Sequence, residues 1–273
     1  MYRRLLGTPS TFRMQRWILP ELAWNQETYG RRVLTTLKPR TRWLDLGCGQ
    51  RLLCNGLENV EKELASHRFV GLDLSLDNLR SQRHTKYRVL ADGNRLPFQS
   101  ESFDLITANM VVEHFQLPDL AFQEISRVLA PGGVVLLHTP NLANYLVFAN
   151  RVVSKAIPRR LHAAFVGTSE KRTEDEIYPA FYRANTEGSI RKVGSSVGNV
   201  SVEFLPPPRP FFHYFAPIAL AELLLTRMMQ VRPLRRFLTT LLVTIKKPDR
   251  AWSIDPDLAA SSREAIGEAG NAA

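Results

Sequence analysis

Trp43-Leu44-Asp45-Leu46-Gly47-Cys48-Gly49 decides the reading of this chain. From Arg42 to Leu46 the apolar side chains surround a single carboxylate, which reads as a buried strand, and two glycines end it in a tight turn. Leu52 to about Ser66 then reads as a helix. Arg68–Leu74 is a second strand, followed by a helix that Ser75 caps. Tyr87–Ala91 is a third strand, and after a polar loop (Asp92–Ser102) Phe103–Ala108 is a fourth. Leu117, Ala121, Ile125, Val128 and Leu129 recur at helical spacing with Pro118 as the first helical residue. Pro131-Gly132-Gly133 stops that helix before a fifth strand, Val134–Thr139. Strands alternating with helices in this way form a parallel sheet covered on both faces, whose ligands bind at the carboxyl ends of the strands.

The flanks are less regular. Residues 1–41 form a basic helical segment, with Trp17, Ile18 and Leu19 expected to pack on the domain; an arginine-rich presequence is the other reading of its first twenty residues. The main domain runs over 42–250. Within it, 142–185 reads as a lid, Thr186–Gly198 as a helix, Val200–Leu205 as a strand, 206–236 as an apolar insertion and Leu238–Ile245 as the last strand. Residues 251–273 have the composition of a disordered tail.

Composition narrows the functional classes. Of 273 residues, 44% are hydrophobic and 23% charged, which fits one globular α/β domain and excludes wholesale disorder. No segment reads as a transmembrane helix. Two cysteines, Cys48 and Cys54, are too few for a disulfide scaffold or a four-cysteine zinc site, so no metal is expected and a reducing, cytoplasmic setting is. The net charge of +10 is unevenly spread: +7 over residues 1–44, −3 over 45–141 and +6 over 142–273. A nucleic-acid enzyme concentrates positive charge on its working surface. Here the central block is acidic and the flanks basic, which favours a small-molecule site and makes nucleic acid an unlikely partner.

The glycine turn fits a nucleotide-containing cofactor, because glycines let the backbone approach a ligand closely while helix-start N–H groups face it. A nicotinamide or flavin fingerprint fails, since the position of its last small residue is Leu52, and a P-loop lysine is absent. A carboxylate ahead of the glycines would repel a pyrophosphate but suits a cofactor with an ammonium and a sulfonium, such as S-adenosylmethionine. Each of these residues also has a plainer reading: Asp45 as a helix cap, Asp73 as a solvated strand end, Cys48 as a small buried hydrophobe, Asp104 as half of a structural pair.

Five further stretches follow in order: Val70-Gly71-Leu72-Asp73-Leu74-Ser75, Ala91-Asp92, Leu96-Pro97-Phe98 with Phe103-Asp104-Leu105-Ile106, Val112-Glu113-His114-Phe115 and Arg127-Val128-Leu129-Ala130-Pro131-Gly132-Gly133. Together with the first motif they resemble class I S-adenosylmethionine-dependent methyltransferases, the small-molecule type 11 group in particular, over roughly residues 20–141. The resemblance implies a Rossmann-like α/β sheet of seven strands, mostly parallel with an antiparallel last strand, helices on both faces and a C-terminal lid or insertion. It implies that Asp45, with Gly47, Cys48 and Gly49, holds the methionine end of S-adenosylmethionine, and that Asp73 and Leu74 receive the ribose. Asp92 and Gly93 would receive the adenine, and Asn109 the methionine portion. One departure is Arg51, which stands where the family usually has a third glycine. A catalytically silent cofactor-binding protein, or an RNA-modifying methyltransferase, are the alternative readings.

For the acceptor, the chain lacks the Asn/Asp-Pro-Pro-Tyr of amino-methylating DNA enzymes, having Asn109-Met110-Val111-Val112, and lacks the Pro-Cys of cytosine carbon-5 enzymes. Methylation of a small or lipid-like acceptor, at oxygen, is the expectation. An imidazole can take the acceptor's proton near neutral pH, and His114, after the fourth strand, is the candidate catalytic base. His138, Thr139 and Asn141 end the fifth strand and, with Tyr178 and Tyr182, are the candidate substrate contacts. The insertion 206–236 sets arginines around an apolar helix, which fits peripheral membrane contact; a lid or dimer contact is the alternative.

Overall fold

The structure, a computed structural model, describes residues 9–20, 22–53, 57–147, 179–207, 209–211 and 216–249. The elements are α1 (Pro9–Ile18), α2 (Asn25–Thr36), β1 (Trp43–Leu46), α3 (Glu58–Ala65), β2 (Phe69–Asp73), α4 (Leu76–Ser81), β3 (Tyr87–Leu90), β4 (Phe103–Asn109), α5 (Pro118–Val128), β5 (Leu129–Pro140), α6 (Glu187–Gly194), β6 (Asn199–Leu205), α7 (Ala216–Met229) and β7 (Thr240–Lys246), with short 3₁₀ turns at Val112–His114 and Leu234–Phe237. The strands form one sheet in the order β3-β2-β1-β4-β5-β7-β6. β3, β2, β1, β4 and β5 run parallel, and β7 lies antiparallel between β5 and β6. This is the α/β sheet expected from the motifs, with its antiparallel last strand.

Two apolar layers flank the sheet. On one side Ala121, Phe122, Ile125 and Val128 of α5 and Ile190 and Val193 of α6 cover Leu44, Leu46, Ile106 and Leu137. On the other, Tyr29 and Val33 of α2 and Val60 and Leu64 of α3 cover Trp43, Leu105, Leu136 and Leu242. Because strand side chains alternate faces, Leu46 belongs to the first layer and Asp45 to the second. Chain order reverses direction across β1 and β4, which opens a crevice at their carboxyl ends.

Several boundaries differ from the sequence reading. The stretch after Gly49 is not yet helical: α3 begins at Glu58, and Leu52 and Leu53 enter the core from an irregular segment. α5 stops at Val128, and Leu129 already pairs with Phe103, so Pro131-Gly132-Gly133 lie inside β5, where the register shifts between Phe103 and Leu105. Burial of Leu129 in the sheet outweighs its helical spacing. Ile18 and Leu19 are buried as expected, whereas Trp17 is 83% exposed. Asp104 has its structural partner: Arg42 grips it through Nε at 3.0 Å and Nη2 at 2.6 Å. The tail 251–273, and most of the lid 142–185, lie outside the described residues.

Asn141, expected to touch substrate, is fully buried and is used by the fold. Its Nδ2 donates to the carbonyls of Arg236 and Leu238 at 2.8 Å each, and its Oδ1 accepts from Ala143 N–H at 3.0 Å. Asn141→Ala leaves those buried carbonyls unpaired and is expected to cost about 2–4 kcal/mol, read as a lower urea midpoint at unchanged slope.

Candidate active site

The turn after β1 is built on two left-handed glycines, Gly47 at φ +62 and Gly49 at φ +52. A Cβ on Gly47 would sit 2.4 Å from Val111, so no side chain fits there. Gly49 N–H donates to Asp73 Oδ2 at 2.8 Å, which ties the end of β1 to the end of β2. Asp73 Oδ1 accepts from Ser75 N–H at 2.8 Å and from Asn78 Nδ2 at 3.2 Å. Three donors thus fix a buried carboxylate whose remaining lone pairs can accept from a ligand's hydroxyls. Gln82 Nε2 braces the turn from behind, donating to the carbonyls of Cys48 at 3.1 Å and Gly49 at 3.3 Å.

These residues line a cleft of about 410 Å³ at the carboxyl ends of the strands. Of the expected cofactor contacts, Gly47, Gly49, Asp73, Leu74, Asp92 and Gly93 line it, and so does the candidate base His114. Asn78, Met110, Val111, Phe115, Gln116 and Phe181 complete the wall. Asn78 was legible only as part of a helix start. Met110 holds a left-handed backbone (φ 58) that no sequence pattern announces, and its N–H is fixed by the His138 carbonyl at 2.7 Å. Asp92 Oδ1 accepts from Asn94 N–H at 2.9 Å, which shapes the loop that carries Gly93.

Five further expected site residues do not line this cleft. Cys48 faces away from the cleft and packs against Gly71; its N–H donates to the Leu72 carbonyl, and burial raises its thiol pKa well above the ordinary value. Asp45 lies on the α2 side of the sheet, where Thr107 Oγ1 donates to it at 2.6 Å and itself accepts from Trp43 Nε1 at 2.7 Å. Asn109 also stays behind the cleft, donating to Gln26 Oε1 at 2.7 Å and to the Leu52 carbonyl at 3.3 Å. His138 and Thr139 are buried off the cleft. His138 stacks on Tyr29 at 5.7 Å with Nδ1 3.0 Å from Asn109 Oδ1, and desolvation lowers its pKa to about 4, so it is neutral.

Thr139 Oγ1 donates to Glu113 Oε2 at 2.9 Å and accepts from Asn185 Nδ2 at 2.6 Å. Glu113 in turn anchors the last residues of the 142–185 segment, its carbonyl accepting from Phe181 N–H at 2.8 Å and Tyr182 N–H at 3.0 Å. Tyr182 is exposed and does not line the cleft; its neighbour Phe181 does. Tyr178 lies outside the described residues. His114 Nδ1 is 3.1 Å from the Pro179 carbonyl, an acceptor only, so Nδ1 carries the proton and Nε2 is the basic nitrogen. Among the described residues no cluster of side chains could hold a metal ion, and no helix is long and apolar enough to cross a membrane.

Residues 44–137 match the sequence pattern of a family described as a methyltransferase domain. This span is a class I S-adenosylmethionine-dependent methyltransferase domain. The chain is 30% identical over 125 residues to a demethylmenaquinone methyltransferase of Corynebacterium kroppenstedtii, a match covering 44% of this chain and 52% of that protein. It is 25% identical over 205 residues to a ubiquinone biosynthesis O-methyltransferase of Bordetella avium, covering 69% and 80%. The chain therefore spans about half the length of the first relative. The YcgJ protein of Bacillus subtilis superposes with a TM-score of 0.50 over 81% of this chain and 98% of that one, at 15% identity, a likeness of fold.

The methyltransferase cleft fits its cofactor in spite of Arg51. The guanidinium does not enter the cleft, because it pairs with Glu61, a carboxylate only 2% exposed, through Nη2 and Nε. Glu61 also accepts from Leu53 N–H at 3.3 Å and lies 3.3 Å from His84 Nε2. The pair therefore replaces the missing third glycine by drawing the long side chain outward. Breaking it leaves a cation beside a site meant for another cation. Glu61→Gln is expected to weaken S-adenosylmethionine binding about tenfold by calorimetry, and Arg51→Gly in that background to restore it.

Asp45 gives the methyltransferase domain a titration. Burial, opposed by the Thr107 bond and reinforced by the charge of Asp73, raises its pKa to about 7. A carboxyl with a raised folded pKa stabilises the fold below its unfolded value of about 4, and this contribution is lost as pH rises to about 7. Asp45→Asn removes that group, so the decline in unfolding free energy between about pH 4 and 7 is expected to flatten in the variant, as followed by chemical denaturation.

Proposed function

We propose that this chain transfers the methyl group of S-adenosylmethionine to an oxygen of a small or lipid-like acceptor in the cytoplasm. The observation that carries the proposal is the Asp73 carboxylate, fixed by three donors at the end of β2 and lining the cleft beside the glycine turn. A carboxylate so held accepts both hydroxyls of a ribose as charge-assisted bonds. Gly47 and Gly49 admit the cofactor's chain close to the backbone, and the Asp92–Gly93 loop meets its adenine. When bound, S-adenosylmethionine supplies an electrophilic methyl on a sulfonium.

The protein's own share is to orient the acceptor, exclude water and remove a proton. His114 Nε2 is the nitrogen assigned to the acceptor's hydroxyl proton, with Nδ1–H held by the Pro179 carbonyl so that the tautomer is fixed. Glu113 and Thr139, buried and bonded to each other, position His114. The mildly acidic central block and the O-methyltransferase relative support a small acceptor over nucleic acid. The silent-protein reading drew on Arg51, and the Glu61 pair removes that support.

Two variants test the reading. Asp73→Ala is expected to lower S-adenosylmethionine affinity by about 100-fold or more, since two charge-assisted bonds are lost. His114→Gln is expected to lower kcat by about 100-fold or more with cofactor affinity unchanged, followed as S-adenosylhomocysteine release with phenolic and quinol acceptors. Unaltered affinity in the first variant would remove the cofactor site, and unaltered turnover in the second would remove His114 as the base.

A further inference from the structure

α7 has its apolar side chains on both faces. Ala219, Glu222, Leu223, Thr226 and Met229 point inward, and Glu222 accepts from the Tyr145 hydroxyl at 2.7 Å. The opposite face carries Ile218, Ala221, Leu224, Leu225 and Met228, all exposed, with no polar residue among them. A helix that only covers a core shows water a polar face, so this one is built for a second apolar surface. α1 packs beside it through Ile18, Leu19 and Leu223, and Arg227 Nη1 donates to the Ile18 carbonyl at 2.7 Å. Trp17 of α1 and Val231 beyond α7 are likewise apolar and exposed, at 83% and 63%.

The charge around the patch has one sign. Over α1 and residues 216–237 the chain has Arg13, Arg16, Arg227, Arg232, Arg235 and Arg236 against the single buried Glu222. Arg13, Arg16, Arg232, Arg235 and Arg236 are exposed, and Arg236 sits 5.5 Å over the Phe237 ring. Arg227 and Arg235 also look into a cavity of about 530 Å³ at the root of the helix pair, a recess wide enough for a small anionic head group. A second copy of this face would bring like charges together, and a nucleic acid would leave the apolar stripe in water. An anionic lipid surface satisfies both features, since apolar side chains enter the acyl boundary while arginines meet the head groups.

We infer that α1 and α7 form a monotopic docking face that seats this chain on an anionic bilayer. The inference stands apart from the proposed reaction, because vesicle binding needs neither cofactor nor turnover. The full chain is centrifuged with phosphatidylcholine vesicles with and without phosphatidylglycerol, and compared with Leu224→Glu/Met228→Glu and with Arg13→Gln/Arg16→Gln/Arg232→Gln. All of these positions are exposed, and a thermal melt checks each fold. Binding is expected on the anionic vesicles, falling in high salt and at least about tenfold in either variant. Absence of binding, or binding that either variant retains, overturns the inference. A dimer in solution that Leu224→Glu/Met228→Glu converts to monomer, without vesicle binding, overturns it in favour of a second copy.

Discussion

The hydrogen bond from Gly49 N–H to the Asp73 carboxylate is the constraint on which the site depends. It requires a residue without a side chain at a left-handed position and a carboxyl acceptor at the end of the neighbouring strand. β1 and β2 supply these because they run parallel and in register, Leu46 beside Leu72. Once that bond is made, Ser75 and Asn78 at the start of α4 complete the carboxylate's shell. Gln82, just past the end of the same helix, closes the turn from behind. One strand end, one turn and one short helix thus become a single rigid corner.

A second layer explains why several polar groups near the strand ends do not face the cleft. Asp45, Thr107, Trp43, Tyr29, Asn109 and His138 meet on the α2 side of the sheet, where Trp43 donates to Thr107, Thr107 to Asp45, and His138 bonds Asn109. Desolvation dominates there, which is why the Asp45 carboxyl and the Tyr29 phenol both shift upward and the His138 imidazole shifts downward. Tyr29 stacked on His138, and Gln26 bonded to Asn109, tie α2 to this layer.

Much of this was legible in the chain itself. Strand-helix alternation and the turn residues yield a parallel sheet with its ligand end at the glycine turn, beside which Gly47, Gly49, Asp73 and His114 line the cleft, because period and glycine placement are local properties. Facing was less legible. Asp45 stands one residue from Leu46, and the pleat sends the two to opposite faces, so nearness in sequence to the glycine turn misled. Thr139 and Asn141 end a strand where ligands bind, yet long-range partners, Glu113 and the Arg236 and Leu238 carbonyls, claim them. The Arg51–Glu61 pair joins residues ten apart in the sequence, a spacing that periodicity does not register. Pro131-Gly132-Gly133 read as a helix stop and proved to lie inside β5, between Leu129, which already pairs with Phe103, and Val134, where the ladder resumes.

The tethers around Glu113 carry a consequence for diversification. Leu142 N–H is fastened to the Asn185 carbonyl, and Phe181 N–H to that of Glu113, so residues on both sides of the stretch 148–178 are held by backbone bonds to partners outside it. A segment mounted on such a frame can lengthen, shorten or be exchanged without loosening the proton-handling corner.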